Sequence, residues 1–348
     1  MYLNLCLQWH SAGKVFSMLA ICRPARRAAP ASPTLPGRIG TCLLLLLIQA
    51  NAIAATDESA LILTPSEPID TTHTKVSAVV EDMAKRVDRF FADDRAFEEE
   101  NDSTLQISID ASSEEGEALK LNGSVRAKMA LPGAKNRLRL VLEDDPDRQA
   151  QDAPIDDPFR ALGETSDYTL GLEGEVQASK WLLRPSLGVR ATWPPDPYVR
   201  FRAIRYITLD DWVSRVSGTA SWFSKDGAGL DGTVDFDHRL SDELLFRSAT
   251  SAAWRHDTAQ TNAAQVFSLF QRLASRAGLA YEIGAGADDD PEWEVHNYFA
   301  RLRYRRLVYK TWAYVDIQPM IAWPEENDFH EELSLLVRLE LNFGKAYR

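Results

Sequence analysis

Arg184, Arg190, Arg200, Arg202 and Arg215 fall where neighbouring strands would set them side by side. The steps from Arg184 to Arg190 and from Arg200 to Arg202 are even. A strand sends alternate side chains to opposite faces, so each pair shares a face. Carboxylates recur in the same phase on flanking segments, at Glu173 and Glu175 before the arginines and at Asp231, Asp235 and Asp237 after them. Arg338 and Glu340 repeat the two-residue step near the end. The chemistry such walls support is electrostatic. A basic wall facing acidic ones creates a transverse field that selects small polar or charged solutes. The same charges can instead pair across neighbouring strands and fill a closed interior.

Covalent chemistry has less footing, and no catalytic residue is assigned. Acid–base catalysis needs a histidine held in geometry beside a nucleophile or carboxylate. Of six histidines, His10 lies near the start, His73 opens a helix and His238 falls on an apolar face. His256, His296 and His330 remain, with Asp288, Asp289 and Asp290 as the nearest acidic run. That run, and Asp156-Asp157, could offer oxygen ligands to Ca²⁺, but so few ligands are in sight that they read as solvated acidic loops. No EF-hand spacing, zinc pair or Gly-rich phosphate loop occurs, so no cofactor is implied.

The elements that position these charges are strands. From Leu105 onward the apolar period is two: Leu105, Ile107 and Ile109, then Leu119 through Leu131, then Leu138, Leu140 and Leu142. A long polar stretch, Asp144 to Asp167, follows. Tyr168 to Ala178 alternates next. Trp181 and Trp193 bracket one apolar face, and Trp212 and Trp222 bracket another. A tilted strand crosses a bilayer in ~9–11 residues and carries aromatic girdles at both interfaces, whereas soluble strands run ~5–6 residues. Leu230–Leu240, Leu244–Trp254, Ala277–Ala287 and Ala313–Trp323 continue the pattern. Ala264–Leu273 reads as strand or helix, and Trp293–Tyr304 changes phase near Asn297, which predicts a bulge. Arg205 interrupts an apolar face and is expected to snorkel at an interface. Short turns alternate with longer acidic loops, giving about fourteen strands, or about twelve if the ambiguous segments merge. One helix precedes them, Thr72 to Phe97, with Val76, Val79, Val80, Met83, Val87, Phe90 and Phe91 at three- and four-residue steps. Its apolar stripe is expected to pack on the rim of a sheet structure. A lumen plug and a periplasmic docking helix are the functional alternatives.

The chain has 348 residues, a formal charge of −12 and a mean hydropathy of −0.28. No apolar run reaches the ~20 residues of a spanning helix. Cys42–Ile48, preceded by Arg38 and followed by Ala50, Ala52, Ala54 and Ala55, reads as a signal peptide cleaved after Ala54. Residues 1–54 hold five basic residues, no acidic one, and all three cysteines. The mature chain would keep 34 Lys and Arg against 51 Asp and Glu, and that acidic balance argues against nucleic acid as a partner. Exported without cysteine, it must draw stability from something other than disulfides, such as barrel closure. The expected division is a leader at 1–54, a periplasmic linker and helix at 55–102, and a barrel at 103–348.

The last strand, Leu333 to Phe343, alternates Leu, Leu, Val, Leu, Leu and Phe against Ser334, Leu336, Arg338, Glu340 and Asn342. This amphipathic strand with its terminal aromatic resembles the C-terminal strand of bacterial outer-membrane β-barrels. The resemblance covers about residues 103–343 and is architectural. It departs from the pattern in the five residues after Phe343. It implies an all-β transmembrane antiparallel barrel in a Gram-negative outer membrane. It also implies insertion by the barrel-assembly machinery, and contact with outer-membrane lipid and lipopolysaccharide. The His-x-Ser-Asn-Gly context of outer-membrane phospholipases is absent. The function expected is a porin-like passive channel with an arginine-lined lumen. The alternatives are a closed barrel that docks a periplasmic partner through residues 72–97, and an outer-membrane hydrolase.

Overall fold

A sheet that is polar on one face and apolar on the other can satisfy all its backbone groups by curling until its edges meet. The computed structural model of this chain shows that closure. It describes residues 67–91, 95, 97, 103–115, 118–131, 138–144, 168–209, 211–290 and 292–344. The expected signal peptide, the expected turn at Pro132-Gly133, most of the 144–167 stretch including Asp156-Asp157, and the tail after Gly344 lie outside them.

The strands are β1 (Thr104–Glu114), β2 (Lys120–Ala130), β3 (Leu138–Asp144), β4 (Tyr168–Gly174), β5 (Val176–Ala178), β6 (Trp181–Arg190), β7 (Asp196–Leu209) and β8 (Trp212–Phe223). They continue as β9 (Gly227–Arg239), β10 (Leu244–Arg255), β11 (Thr261–Ala274), β12 (Ala277–Asp288), β13 (Glu294–Tyr309), β14 (Ala313–Pro324) and β15 (Glu332–Gly344). Both β4 and β5 pair with β6, so they are two halves of one stave parted at Glu175. The first and last strands join antiparallel, Leu105 opposite Phe343 and Asp110 opposite Arg338. The result is a closed barrel of fourteen staves.

Register sorts the side chains. Leu187 is 60% exposed, and Arg184 on the same strand is 1% exposed. On β15 Leu333, Leu335, Val337, Leu339 and Phe343 are exposed, whereas Glu340 and Asn342 are buried. The exterior is thus apolar and the interior charged. Because the period is two, a slip of one residue on any stave would reverse this sorting. The ambiguous segment before Leu273 is strand β11. Its alternation is weak because small and polar residues occupy both faces: Ala263 and Gln265 outward, Ala264 and Ser268 inward. The predicted bulge is present, since Gly286 faces Asn297 and Ala287 faces Val295, skipping His296. Arg205 points outward and lays its guanidinium over the Trp181 ring at 5.7 Å.

At one end of the barrel, here the near mouth, the turns are short: Ser179-Lys180, the two residues 210–211, and Ser275-Arg276. The helix α1, Glu67–Phe91, precedes β1 at this end. It starts five residues before the expected Thr72. Pro68 sits in its first turn, where a missing N–H costs nothing, so a residue read as linker in fact initiates the helix.

Candidate functional site

The stripe of α1 is not wholly apolar. Val80, Ala84 and Asp88 follow one another at four-residue steps, and all three are buried, as is Phe91. Opposite them Asp82, Lys85, Arg86 and Arg89 are exposed. A carboxylate on the buried face must meet cations or remain uncompensated. Asp88 meets Arg247 of β10, Oδ1 to Nη2 at 2.7 Å. Arg247 also holds Asp237 of β9 at 2.6 Å. Arg95, beyond the helix, reaches Asp237 at 3.3 Å, Asp235 at 3.5 Å and Asp88 at 3.6 Å. Arg215 of β8 faces Asp235 at 3.6 Å. Three arginines and three aspartates therefore alternate between the helix and one arc of the wall.

An apolar seat lies beside this network. Ala84 and Phe91 pack with Leu245, Phe270 and Ala280, joined by Met83, Val87 and Phe90. The Phe91 ring lies 5.3 Å from that of Phe270, and Phe90 lies 6.0 Å from Tyr314. Arg303 donates to the Phe91 carbonyl. Gly278 leaves room for both phenyl rings. On the far arc, Lys85 sits over the Tyr206 ring at 5.6 Å, and Lys128 donates to the Phe97 carbonyl at 2.5 Å. These wall residues all face inward. The helix thus lies inside the near mouth rather than on the rim where the stripe alone had suggested it. The single carboxylate in that stripe, Asp88, was the signal that distinguished the two.

The other candidate residues are inside, and most of them meet a side chain of opposite charge. Arg184 lies 3.0 Å from Glu175, and Glu173 meets Arg139 at 2.9 Å. Arg190 lies 2.5 Å from Asp226 and 3.6 Å from the buried Asp196. Arg200 meets Glu143 at 2.9 Å, and Asp231 meets Arg255 at 2.7 Å. Arg202 donates to the Thr219 hydroxyl at 3.1 Å. Arg338 grips Asp110 through Nε at 2.6 Å and Nη2 at 3.1 Å, across the closing seam. Glu340 meets Arg305 at 2.5 Å, and the same guanidinium meets Asp316 at 2.5 Å. Most of the positive charge of the wall is balanced where it stands. Sequence reasoning had not singled out Arg247, Arg305, Asp88 or Arg95 as site residues, though the first two share the inward phase of their strands.

The four tryptophans divide between the two ends. Trp181 and Trp212 open strands at the near mouth, where Trp212 stacks on His238 at 4.5 Å. Trp222 and Trp193, the latter 91% exposed, mark the other end. The acidic run organises a turn: Asp289 accepts from the Thr261 amide at 2.7 Å, and Asp290 from the Gln260 amide group at 2.6 Å. His296 meets Asp288 at 3.2 Å. Among the described residues, no three His, Cys, Asp or Glu side chains gather as a metal site.

No protein-family model matches the chain, and no curated protein matches its sequence. Several solved structures are similar in outline. A loop-deletion form of OmpT, an outer membrane protein of Vibrio cholerae, is 8% identical with a TM-score of 0.42, and the match covers 70% of this chain and 98% of that one. The outer membrane channel DcaP of Acinetobacter baumannii is 7% identical at 0.43, covering 70% and 96%. OprB of Pseudomonas putida is 8% identical at 0.47, covering 73% and 97%. Likeness at this level says nothing of what the chain carries or binds.

Proposed function

We propose that this chain is a porin-like channel of a Gram-negative outer membrane, gated at its near mouth by α1. The apolar exterior and closed hydrogen bonding suit a bilayer, in which open sheet edges do not occur. Short turns are a periplasmic trait of such barrels, which supports a periplasmic near mouth. The observation that carries the gate is the redundancy of the anchoring network. If α1 leaves, Arg247 keeps Asp237 at 2.6 Å and Arg215 keeps Asp235 at 3.6 Å. The wall therefore stands without the helix. The helix's exposed face, with Lys85, Arg86 and Arg89, is suited to water and not to a sealed core. Local charge balance makes the open lumen a weakly selective path for small polar solutes, with the arginines acting first as cross-strand ties.

The test is conductance in planar bilayers. The full mature chain should show rare openings. A variant lacking residues 56–100 should conduct continuously. Equal conductance in the two, or none in either, overturns the reading.

A further inference from the structure

At the near mouth, cations gather on the outside of the barrel as well as within it. Arg276 lies in the turn between β11 and β12, Lys310 in the turn between β13 and β14, and Arg306 near the end of β13. All three are exposed. Arg276 donates to the Lys310 carbonyl at 3.1 Å, which holds the two turns together. Arg306 stands opposite Ala277 and Val315 on the outward face. Among the described residues, no carboxylate pairs with any of the three. This contrasts with the lumen, where most arginines meet a carboxylate. Like charges held together without a counter-charge repel, so the cluster favours an anion from outside.

What surrounds the cluster identifies that anion. The Lys310 ammonium lies 5.3 Å from the centre of the Tyr309 ring. Tyr309 meets Trp312 at 5.3 Å, and Trp312 stacks on Phe343 at 5.4 Å. Such aromatics sit at headgroup level in a bilayer. Farther along the same outward face Tyr281 and Ile283 are exposed. The arrangement is cationic at the turn, aromatic at its edge and aliphatic beyond. That order matches a phospholipid read from phosphate to acyl chain. We infer that Arg276, Arg306 and Lys310 bind the phosphate of an anionic phospholipid in the periplasmic leaflet. The inference rests on the membrane placement proposed above and not on the gate.

Native mass spectrometry of the detergent-purified full chain tests it, with phosphatidylglycerol or phosphatidylcholine added. Wild type should retain phosphatidylglycerol in preference. Arg276→Gln, Arg306→Gln and Lys310→Gln together should weaken retention at least ~tenfold. Lys180→Gln, a change at an exposed lysine in another turn of the same mouth, should leave it unchanged. If the triple variant fails to fold, Arg306→Gln alone should give a loss of roughly fivefold. Equal retention of both lipids overturns the inference, as does full retention by a folded variant. Displacement of the lipid by inorganic phosphate alone would show recognition of a free anion and overturn the lipid assignment. A barrel that gates as proposed but ignores phosphatidylglycerol overturns this inference only. A chain that does not enter vesicles overturns both.

Discussion

Replacing Asp88 with Asn should open the channel more often. The Asp88–Arg247 contact is 2.7 Å long, and its partners are 6% and 4% exposed at the side chain. Breaking a buried ion pair outright costs ~3–5 kcal/mol because one charge is stranded. Here neither arginine is stranded, since Arg247 keeps Asp237 and Arg95 keeps Asp235 and Asp237. The loss is therefore smaller, on the scale of one charge-assisted contact, ~1.5–3 kcal/mol. Asn retains an acceptor oxygen, and a neutral bond keeps about half the strength of a charged one. The docked state should lose ~0.75–1.5 kcal/mol, a rise of roughly three- to thirteenfold in the ratio of open to closed time. Single-channel recording of Asp88→Asn, Arg247→Gln and the double variant reads this directly. The double variant should open less than the product of the two single effects, because both remove the same contact. An unchanged open fraction in Asp88→Asn, or strictly additive single variants, would show that this contact does not hold the helix.

Two further perturbations separate the gate from the wall. Arg305→Met strips the guanidinium from Glu340, 1% exposed at the side chain, and leaves Asp316, 0% exposed, with Arg303 at 3.6 Å. It should cost ~3–5 kcal/mol and lower the urea midpoint of the folded barrel, followed by heat-modifiable mobility. An unaltered midpoint would mean that water reaches these carboxylates. A side chain at Gly278 would start 3.0 Å from Phe90 and 3.1 Å from Phe91. Gly278→Val should therefore raise the open fraction a few fold while the urea midpoint stays put, and a falling midpoint with normal gating would place the clash in the wall.

The staves were legible because each has two different solvents. Where exposed apolar side chains lie on one face and buried charges on the other, as along β6 and β15, the period of two is clean. Where both sides carry small residues, as at Ala263, Ala264 and Gln265 of β11, the period fades and helix competes. Pairing across the ends could be read from the terminal strands, since an open edge is costly in a bilayer. The lodging of α1 was hidden for a different reason. An apolar helical stripe looks the same whether it meets a rim or a lumen. Only Asp88 departed from the stripe, and its wall partner Arg247 lies about 160 residues farther along the chain. The ion pairs were half legible. Phase placed the charged side chains on a common face, but which guanidinium holds which carboxylate depends on stagger between staves.

The short span of chain between α1 and the first strand sets the tempo of any gating. Phe91 ends the helix and Thr104 begins β1, so twelve residues tether the stopper to the rim. Fully extended, that tether reaches no more than about 40 Å. A stopper on so short a leash meets its seat at an effective concentration in the millimolar range. Closures should therefore be frequent and independent of protein concentration. A free peptide copying residues 67–97 would have to approach millimolar levels before it competed for the seat. Openings become long only when something else holds the released helix.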